Sequence, residues 1–319
     1  MSLPAPPLVS VIVPTRDRPA LLREALGSIR ALEGPDLALE VIVADNGANP
    51  ETGAVAREFG ARCVRAERLG ASAARNAGLR AASGEFLAFL DDDDVWLAEH
   101  LRPQLALLSR RPELAAVLGQ AQCTDEQRTP LYGPGPVRLA GDGDVLHDLF
   151  AQMPQIGALV ARASVRETVG ELDETLLSDE DWDWQLRIAL KHLVGFVPVP
   201  CVLFRQRPVT ADDDLRWRRW PYTRRVFLNN VRRASSRRPS LPYLARCYLR
   251  HCGWYYGISL WSALEHAHAN ERRAAARELT RALRIAPLHA LRDLPRPGAL
   301  WSTFGALIKR PRRRTAAAE

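Results

Sequence analysis

The stretch GASAARNAGLRAASGEFLAFLDDDDVW, residues 70–96, holds three patterns in succession. Helical spacing over Ser72–Ala82 predicts a helix, and the short apolar run Gly84–Leu90 predicts a strand. Four carboxylates, Asp91 to Asp94, follow at that strand's carboxyl end. The same alternation stands upstream. VSVIVP (Val9–Pro14) is rich in β-branched residues, Ala20–Leu32 carries apolar residues at helical spacing, EVIVAD (Glu40–Asp45) repeats the first run, and ARCVRAE (Ala61–Glu67) reads as another strand. Strands alternating with helices, with no hairpin signal between them, predict an α/β fold with a mostly parallel central sheet flanked by helices. Ligands of such sheets bind beyond the carboxyl ends of the strands. Asp45 and the run Asp91–Asp94 both fall at predicted strand ends, so they are expected to line one crevice.

Four adjacent carboxylates need compensation, because two unit charges about 4 Å apart in a partly screened site repel by about 4 kcal/mol. In one reading a divalent cation supplies it. Asp91 and Asp93, separated by one residue, offer hard oxygen ligands, and Mg²⁺ typically takes one or two carboxylates plus substrate phosphates. In the other reading the run is an acidic loop whose last Asp favours the start of the helix after Trp96.

With 319 residues, 47% apolar and 25% charged, the chain can bury a full core as one large domain or two. Five cysteines without CxxC spacing fit a reducing, cytoplasmic setting better than a disulfide framework. The N-terminus has no basic flank before an apolar run, so no secretory signal is expected. The late uncharged stretch Cys252–Leu264 is too short to span a bilayer as a helix. The net charge of +7 is uneven: residues 205–319 hold 25 basic and 8 acidic residues, residues 1–204 hold 19 and 29. An acidic part suits cations, and a basic part suits phosphates, lipid headgroups or simply a solvated face.

Four blocks, SVIVPTRDR, VIVADNG, GASAARNAGLRAASGEFLAFLDDDDVW and SDEDWDWQLRI, stand in this order over about residues 8–205. Together they resemble glycosyltransferase family two, the inverting transferases of the GT-A fold. The resemblance implies a GT-A-type nucleotide-binding domain over residues 1–205. It implies a metal-dependent transfer of a sugar from a nucleotide-diphosphate sugar to an acceptor hydroxyl, in bacterial-type polysaccharide or glycolipid biosynthesis. Mn²⁺ or Mg²⁺ is the implied cofactor, a UDP-sugar the first donor, with GDP and dTDP behind it, and a glycan or lipid-linked molecule the acceptor. The alternative is a non-catalytic GT-A-like protein that binds nucleotide-sugar or glycan in the same cleft. Nucleotidyl transfer to a sugar phosphate is disfavoured, since PTRDRPALL supplies no Gly-rich phosphate loop.

Residue by residue, the resemblance implies that Pro14 and Thr15 approach the nucleotide and that Asp45 accepts a hydrogen bond from the base. Arg16 stands where relatives often have tyrosine, and its guanidinium either stacks on the base or reaches a phosphate. Arg75, near a helix start, falls near the diphosphate; a surface arginine is the plain alternative. Asp91 and Asp93 match the DxD carboxylates, with Asp93 the direct metal ligand and Asp92 placed to meet the ribose. Asp94 supports the turn or touches the acceptor. The general base falls on Asp181, at the start of a helix beginning near Glu180, with capping and dipole compensation as the alternative role for Asp179, Glu180 and Asp181. Glu180 and Trp182 are expected at the acceptor, although a helical Trp is more often packing. Gly157 permits close backbone approach there or serves a turn.

Beyond Phe204, residues 206–240 read as a basic linker or flap with a second acidic run, Asp212–Asp214, that lacks strand context. Residues 241–319 read as a helical C-terminal extension, with helices over Tyr243–His268 and Asn270–Ile285, Pro287 as a stop and a basic tail, Lys309–Arg314. Trp254, Tyr255, Tyr256 and Trp261 beside basic residues suit peripheral contact with the inner face of a membrane, or core packing. No zinc spacing or RNA-binding motif is present, so no nucleic-acid partner is expected. His266 and His268, two apart, make a poor metal pair.

Overall fold

The computed structural model describes residues 6–140, 143–206, 215–234, 237–293, 298 and 302. The chain forms two compact units. One comprises Met1–Pro208 with Tyr222–Arg238, the other Val209–Pro221 with Pro239–Glu319.

The first unit is built on an eight-stranded sheet: β1 (Leu8–Thr15), β2 (Ala38–Asp45), β3 (Arg62–Arg65), β4 (Phe86–Phe89), β5 (Val95–Trp96), β6 (Leu114–Thr124), β7 (Leu159–Arg162) and β8 (Leu193–Arg205). Its spatial order is β3-β2-β1-β4-β7-β6-β8-β5. The β3, β2, β1 and β4 pairings are parallel, as is β6 with β8, while β7 runs antiparallel between β4 and β6, and β5 antiparallel to β8. Every residue of β1 except Leu8 is buried, as expected of a parallel strand covered on both faces, and this explains its unbroken β-branched run.

Helices α1 (Pro19–Arg30), α2 (Glu51–Glu58) and α3 (Ala71–Ala81) connect the parallel strands. Helix α3 lies tight on β1: a Cβ added to Gly78 would sit 2.4 Å from Ile12 Cγ2, so a larger residue there forces the helix outward. Leu22, Ala25, Leu26 and Ile29 of α1 bury one stripe against Val9, Val11 and Val13 of the sheet, which is the amphipathic pattern of the sequence realised. Four helices follow: α4 (Arg102–Arg110), α5 (Leu146–Ala151), α6 (Val165–Val169) and α7 (Glu180–Lys191).

Strand β8 carries Pro198 and Pro200, residues that argue against a central strand because they donate no ladder hydrogen bond. The sheet accommodates them by slipping register between Leu118 and Gln120 and again between Gln120 and Ala121 of β6.

The described part of the expected linker is not a loop. It contains α8 (Leu215–Arg233), whose Thr223, Val226, Phe227 and Asn230 are buried. Asp212–Asp214 and the tail Lys309–Arg314 lie outside the described residues. The second unit is helical: α9 (Leu241–His268) folds back as α10 (Arg272–Ile285), followed by α11 (Pro287–Asp293). Cys252, Tyr256, Leu260 and Ala263 of α9 pack against Leu279, Ala282, Ala286 and Ala290. His266 is buried and paired with Glu271 at 2.6 Å, whereas His268 is exposed, so the two histidines do face different ways. All five cysteines are free, and among the described residues no helix is long and apolar enough to cross a membrane.

Candidate active site

Strand register assembles the floor of the site. The parallel pairs set Pro14 beside Ala44, Thr15 beside Asp45 and Asp45 beside Arg65. Ile12 pairs with Phe89, so three residues further on Asp92 comes level with Thr15. There the Thr15 hydroxyl donates to Asp92 Oδ2 at 2.7 Å, and the Arg16 backbone N–H approaches the same oxygen at 3.4 Å. Asp45 Oδ1 accepts the Gly47 N–H at 2.9 Å, and its Oδ2 accepts from Arg65 at 2.7 Å. The Arg16 side chain is exposed.

Asp17 locks two loops of this floor together. It has φ 56°, a left-handed conformation that Asp tolerates better than most residues. Its Oδ1 accepts the N–H groups of Ala48 and Asn49 at 2.6 and 2.7 Å, and these bonds hold its carboxyl below the usual range. A Cβ on Gly47 would lie 2.3 Å from that oxygen, so the residue after Asn46 has to be glycine for the clasp to close.

The protein supplies cations to the acidic run itself. Arg18 Nη1 lies 3.2 Å from Asp92 Oδ1 and 3.2 Å from Asp93 Oδ2. Arg75, 4% exposed on α3, donates to Asp91 Oδ1 at 2.6 Å and to Glu180 Oε1 at 2.5 Å, so it is no surface arginine. Burial opposes its charge, yet Asp91, Glu180 and Asp181 outweigh burial and raise its pKa. Its Nε has no hydrogen-bond partner among the described residues. Burial pushes the Asp92 carboxyl up against the pull of Thr15 and Arg18, and pushes Glu180 up against Arg75. Asp94 rises furthest of the run, through burial and then Asp91; it accepts the Arg205 backbone N–H at 2.8 Å, which ties the turn to the end of β8. Glu24 completes this edge by accepting from Arg128 at 2.5 Å and Arg205 at 2.8 Å.

Helix α7 presents the second acidic group. Asp179, in the left-handed conformation at φ 60°, accepts from Thr223, and Asp183 accepts from Asn230, Arg233 and Arg187, each at 2.8 Å. These two carboxylates hold the Tyr222–Arg233 part of α8. Asp181 sits between them, half-buried, and accepts the Trp182 N–H at 2.8 Å. Arg75 connects this helix start to Asp91.

Three acceptor-side expectations meet a different geometry. Trp182 is 1% exposed, donates its indole N–H to the Leu149 carbonyl at 2.7 Å and packs near Phe227, so it offers no ring face to a sugar; packing takes it instead. Glu180 is buried and turned to Arg75 rather than outward. Gly157 is buried, its carbonyl accepts the Trp96 indole N–H at 2.9 Å, and an added Cβ would meet Val202 at an ordinary 3.5 Å, so space does not demand glycine there.

The sequence reading gave no role to Asp17, Arg18, Arg65, Glu24, Arg128 or Arg205. Arg18 had a usable signal: a run of four aspartates at a strand end calls for nearby cations, and PTRDR places two arginines at the neighbouring strand end. The others depend on register and loop contacts that spacing does not encode.

Among the described residues no group of three or more His, Cys, Asp or Glu side chains is arranged to hold a metal ion alone. The half-buried oxygens of Asp91 and Asp93 do fit a hard cation that takes only one or two carboxylates and completes its shell with substrate phosphates and water.

Residues 10–137 match the model of the family described as glycosyl transferase family 2. This segment is a glycosyl transferase family 2 domain. The chain is 28% identical over 187 residues to an uncharacterised glycosyltransferase of Haemophilus influenzae, covering 57% of this chain and 62% of that one. It is 31% identical over 105 residues to the UDP-Glc:alpha-D-GlcNAc-diphosphoundecaprenol beta-1,3-glucosyltransferase WfgD of Escherichia coli, covering 32% and 41%. Both matches span less than two thirds of the relative's own length. The fold is similar to that of S. aureus TarS, crystallised with UDP-GlcNAc: TM-score 0.55 and 17% identity, over 94% of this chain and 79% of that one. The α/β architecture expected from the alternation of strands and helices, and the GT-A type implied by the family resemblance, are thus the ones observed.

Proposed function

We propose that the chain is an inverting glycosyltransferase that moves a sugar from a nucleotide-diphosphate sugar to an acceptor hydroxyl in polysaccharide or glycolipid synthesis. The observation that carries this reading is the placing of Asp45, Asp91–Asp93 and Asp181 at the carboxyl ends of β2 and β4 and the start of α7: Thr15, beside Asp45, bonds Asp92, and Arg75 ties Asp91 to Glu180, the neighbour of Asp181. A UDP-sugar is the first donor to test, since the names of WfgD and of the TarS complex specify UDP-Glc and UDP-GlcNAc.

In this reading Thr15 and Asp45 line the nucleoside floor, and Asp92, held by Thr15, faces the ribose. Asp93, with Asp91, would hold Mn²⁺ or Mg²⁺. When bound, such a cation offsets the negative charge that grows on the departing diphosphate. Arg75 keeps Asp91 in place, and its buried positive charge lowers the cost of gathering Asp91, Glu180 and Asp181. Asp181 takes the proton of the acceptor hydroxyl as that oxygen attacks the anomeric carbon from the face opposite the diphosphate, which inverts the centre.

The test is turnover of UDP-sugars against glycan and lipid-linked acceptors. Asp181→Asn lowers kcat by about 10²–10⁴-fold, the usual contribution of a positioned base, while donor affinity stays within about twofold. Full activity in this variant removes Asp181 as base. Donor binding by the wild type without transfer to any acceptor favours the non-catalytic binding protein.

A further inference from the structure

The aromatic residues of the C-terminal extension divide into two sets. Tyr255 and Tyr256 are buried in the helical unit, whereas Trp254 and Trp261 are 56% and 43% exposed. On α9 exposed positions recur as Arg246, Arg250, Trp254, Gly257, Trp261 and, at the far end, Glu265, which is one face of a helix with two cations and one carboxylate. From Arg246 to Trp261 the stripe runs about 22 Å at 1.5 Å per residue. Arg246 lies over the Tyr243 ring, 5.7 Å from its centroid, and Trp254 stands edge-on to Tyr255, so the start and the middle of the stripe are each steadied by a neighbouring ring of the helix. From Leu241 to Leu264 these two arginines are the only Lys, Arg, Asp or Glu residues; the first carboxylate is Glu265.

We infer that this face of α9 is a docking surface for an anionic phospholipid bilayer. Indole rings combine an apolar body with a polar N–H and settle at the headgroup level, and arginine stems lie along apolar surface while their guanidiniums meet phosphate. The composition selects the partner by charge. A second copy of this face would bring two more arginines against the first two, and a neutral glycan leaves the arginines without a counterpart. A negatively charged lipid surface satisfies both residue types together. Gly257, with open space where a side chain would be, puts no side chain on the face between the two indoles.

The test uses the full chain with vesicles of phosphatidylcholine, with and without phosphatidylglycerol, in a sedimentation assay at low and high salt. The wild type binds the anionic vesicles and loses binding in salt. Trp254→Ala with Trp261→Ala weakens the partition at least about tenfold, and Arg246→Ala with Arg250→Ala by about 30-fold at low salt. A second measurement does not depend on truncating the face: Trp254→Phe with Trp261→Phe keeps binding within about threefold but loses the quenching of tryptophan fluorescence by brominated lipid. Unchanged binding of both alanine variants, wild-type quenching in the phenylalanine variant, or no vesicle binding by the wild type overturns the assignment.

Discussion

Arg75 and Glu180, 105 residues apart in sequence, meet at 2.5 Å through Nη1 and Oε1, and the other arm of the same guanidinium reaches Asp91. One buried cation therefore ties helix α3, the acidic turn after β4 and the start of α7. Removing it leaves a buried carboxylate unpaired at Glu180 and frees Asp91 to move.

Arg75→Met is expected to destabilise the first unit by about 3 kcal/mol, the lower end for breaking a buried pair, because Asp91 is a third exposed and recovers some hydration. Chemical denaturation measures this. Adding Glu180→Gln recovers part of the loss, since a neutral amide costs less to bury. Strictly additive effects contradict the direct pairing.

Asp17 clasps the loop after β1 to the loop after β2, on either side of Thr15 and Asp45. Asp17→Ala removes both bonds and the side chain that tolerates φ 56°, whereas Asp17→Asn keeps an acceptor oxygen and the same backbone preference. Nucleotide affinity is expected to fall about tenfold in the alanine variant and to be largely retained in the asparagine variant, as read by calorimetric titration. Equal affinity in all three proteins means that the clasp does not shape the floor.

His100 is fully buried against Trp96, with ring centroids 4.3 Å apart, and burial pushes its pKa down to about 3. The unfolded chain binds this proton near pH 6.5 and the fold does not, so the depressed group contributes stability that is complete above pH 6.5 and lost as pH falls toward 3. Between pH 7.5 and 5.0 the wild type is expected to lose about 2 kcal/mol more than His100→Gln. Denaturant titrations at the two pH values compare them. Parallel losses mean that the ring protonates in the native state.

The parallel half of the sheet was legible because β1, β2 and β4 are short apolar runs and α1 and α3, which alternate with the strands, carry a helical periodicity of their own. Strand ends then located Asp45 and Asp91–Asp94 without any contact being known. Strand β8 was hidden by Pro198 and Pro200, which only its register slips reconcile with a sheet. The α8 helix was hidden by a dense mixture of arginine, proline and aspartate that reads as a linker; Asp179 and Asp183 hold it through Thr223, Asn230 and Arg233, contacts across 44 to 50 residues.

Within the site, residue type and spacing reached the carboxylates but not their partners. Arg18 and Arg75 both neutralise the acidic run and both stand in blocks that carry the family resemblance, but only Arg75 is given a role by it. Trp182 looked like a sugar platform because a Trp beside acidic residues on a helix gives no sign of which way it turns; its indole N–H finds the Leu149 carbonyl and the ring goes inward.

The central claim is that Asp93 and its neighbours form a metal-assisted nucleotide site, and calorimetric titration tests it most directly. UDP, GDP, dTDP and CMP are titrated into the protein with and without Mn²⁺, alongside Asp93→Asn. The account predicts metal-dependent binding of one nucleoside diphosphate, UDP first, that disappears in the variant. No binding of any nucleotide, or binding indifferent to both Mn²⁺ and the substitution, contradicts it.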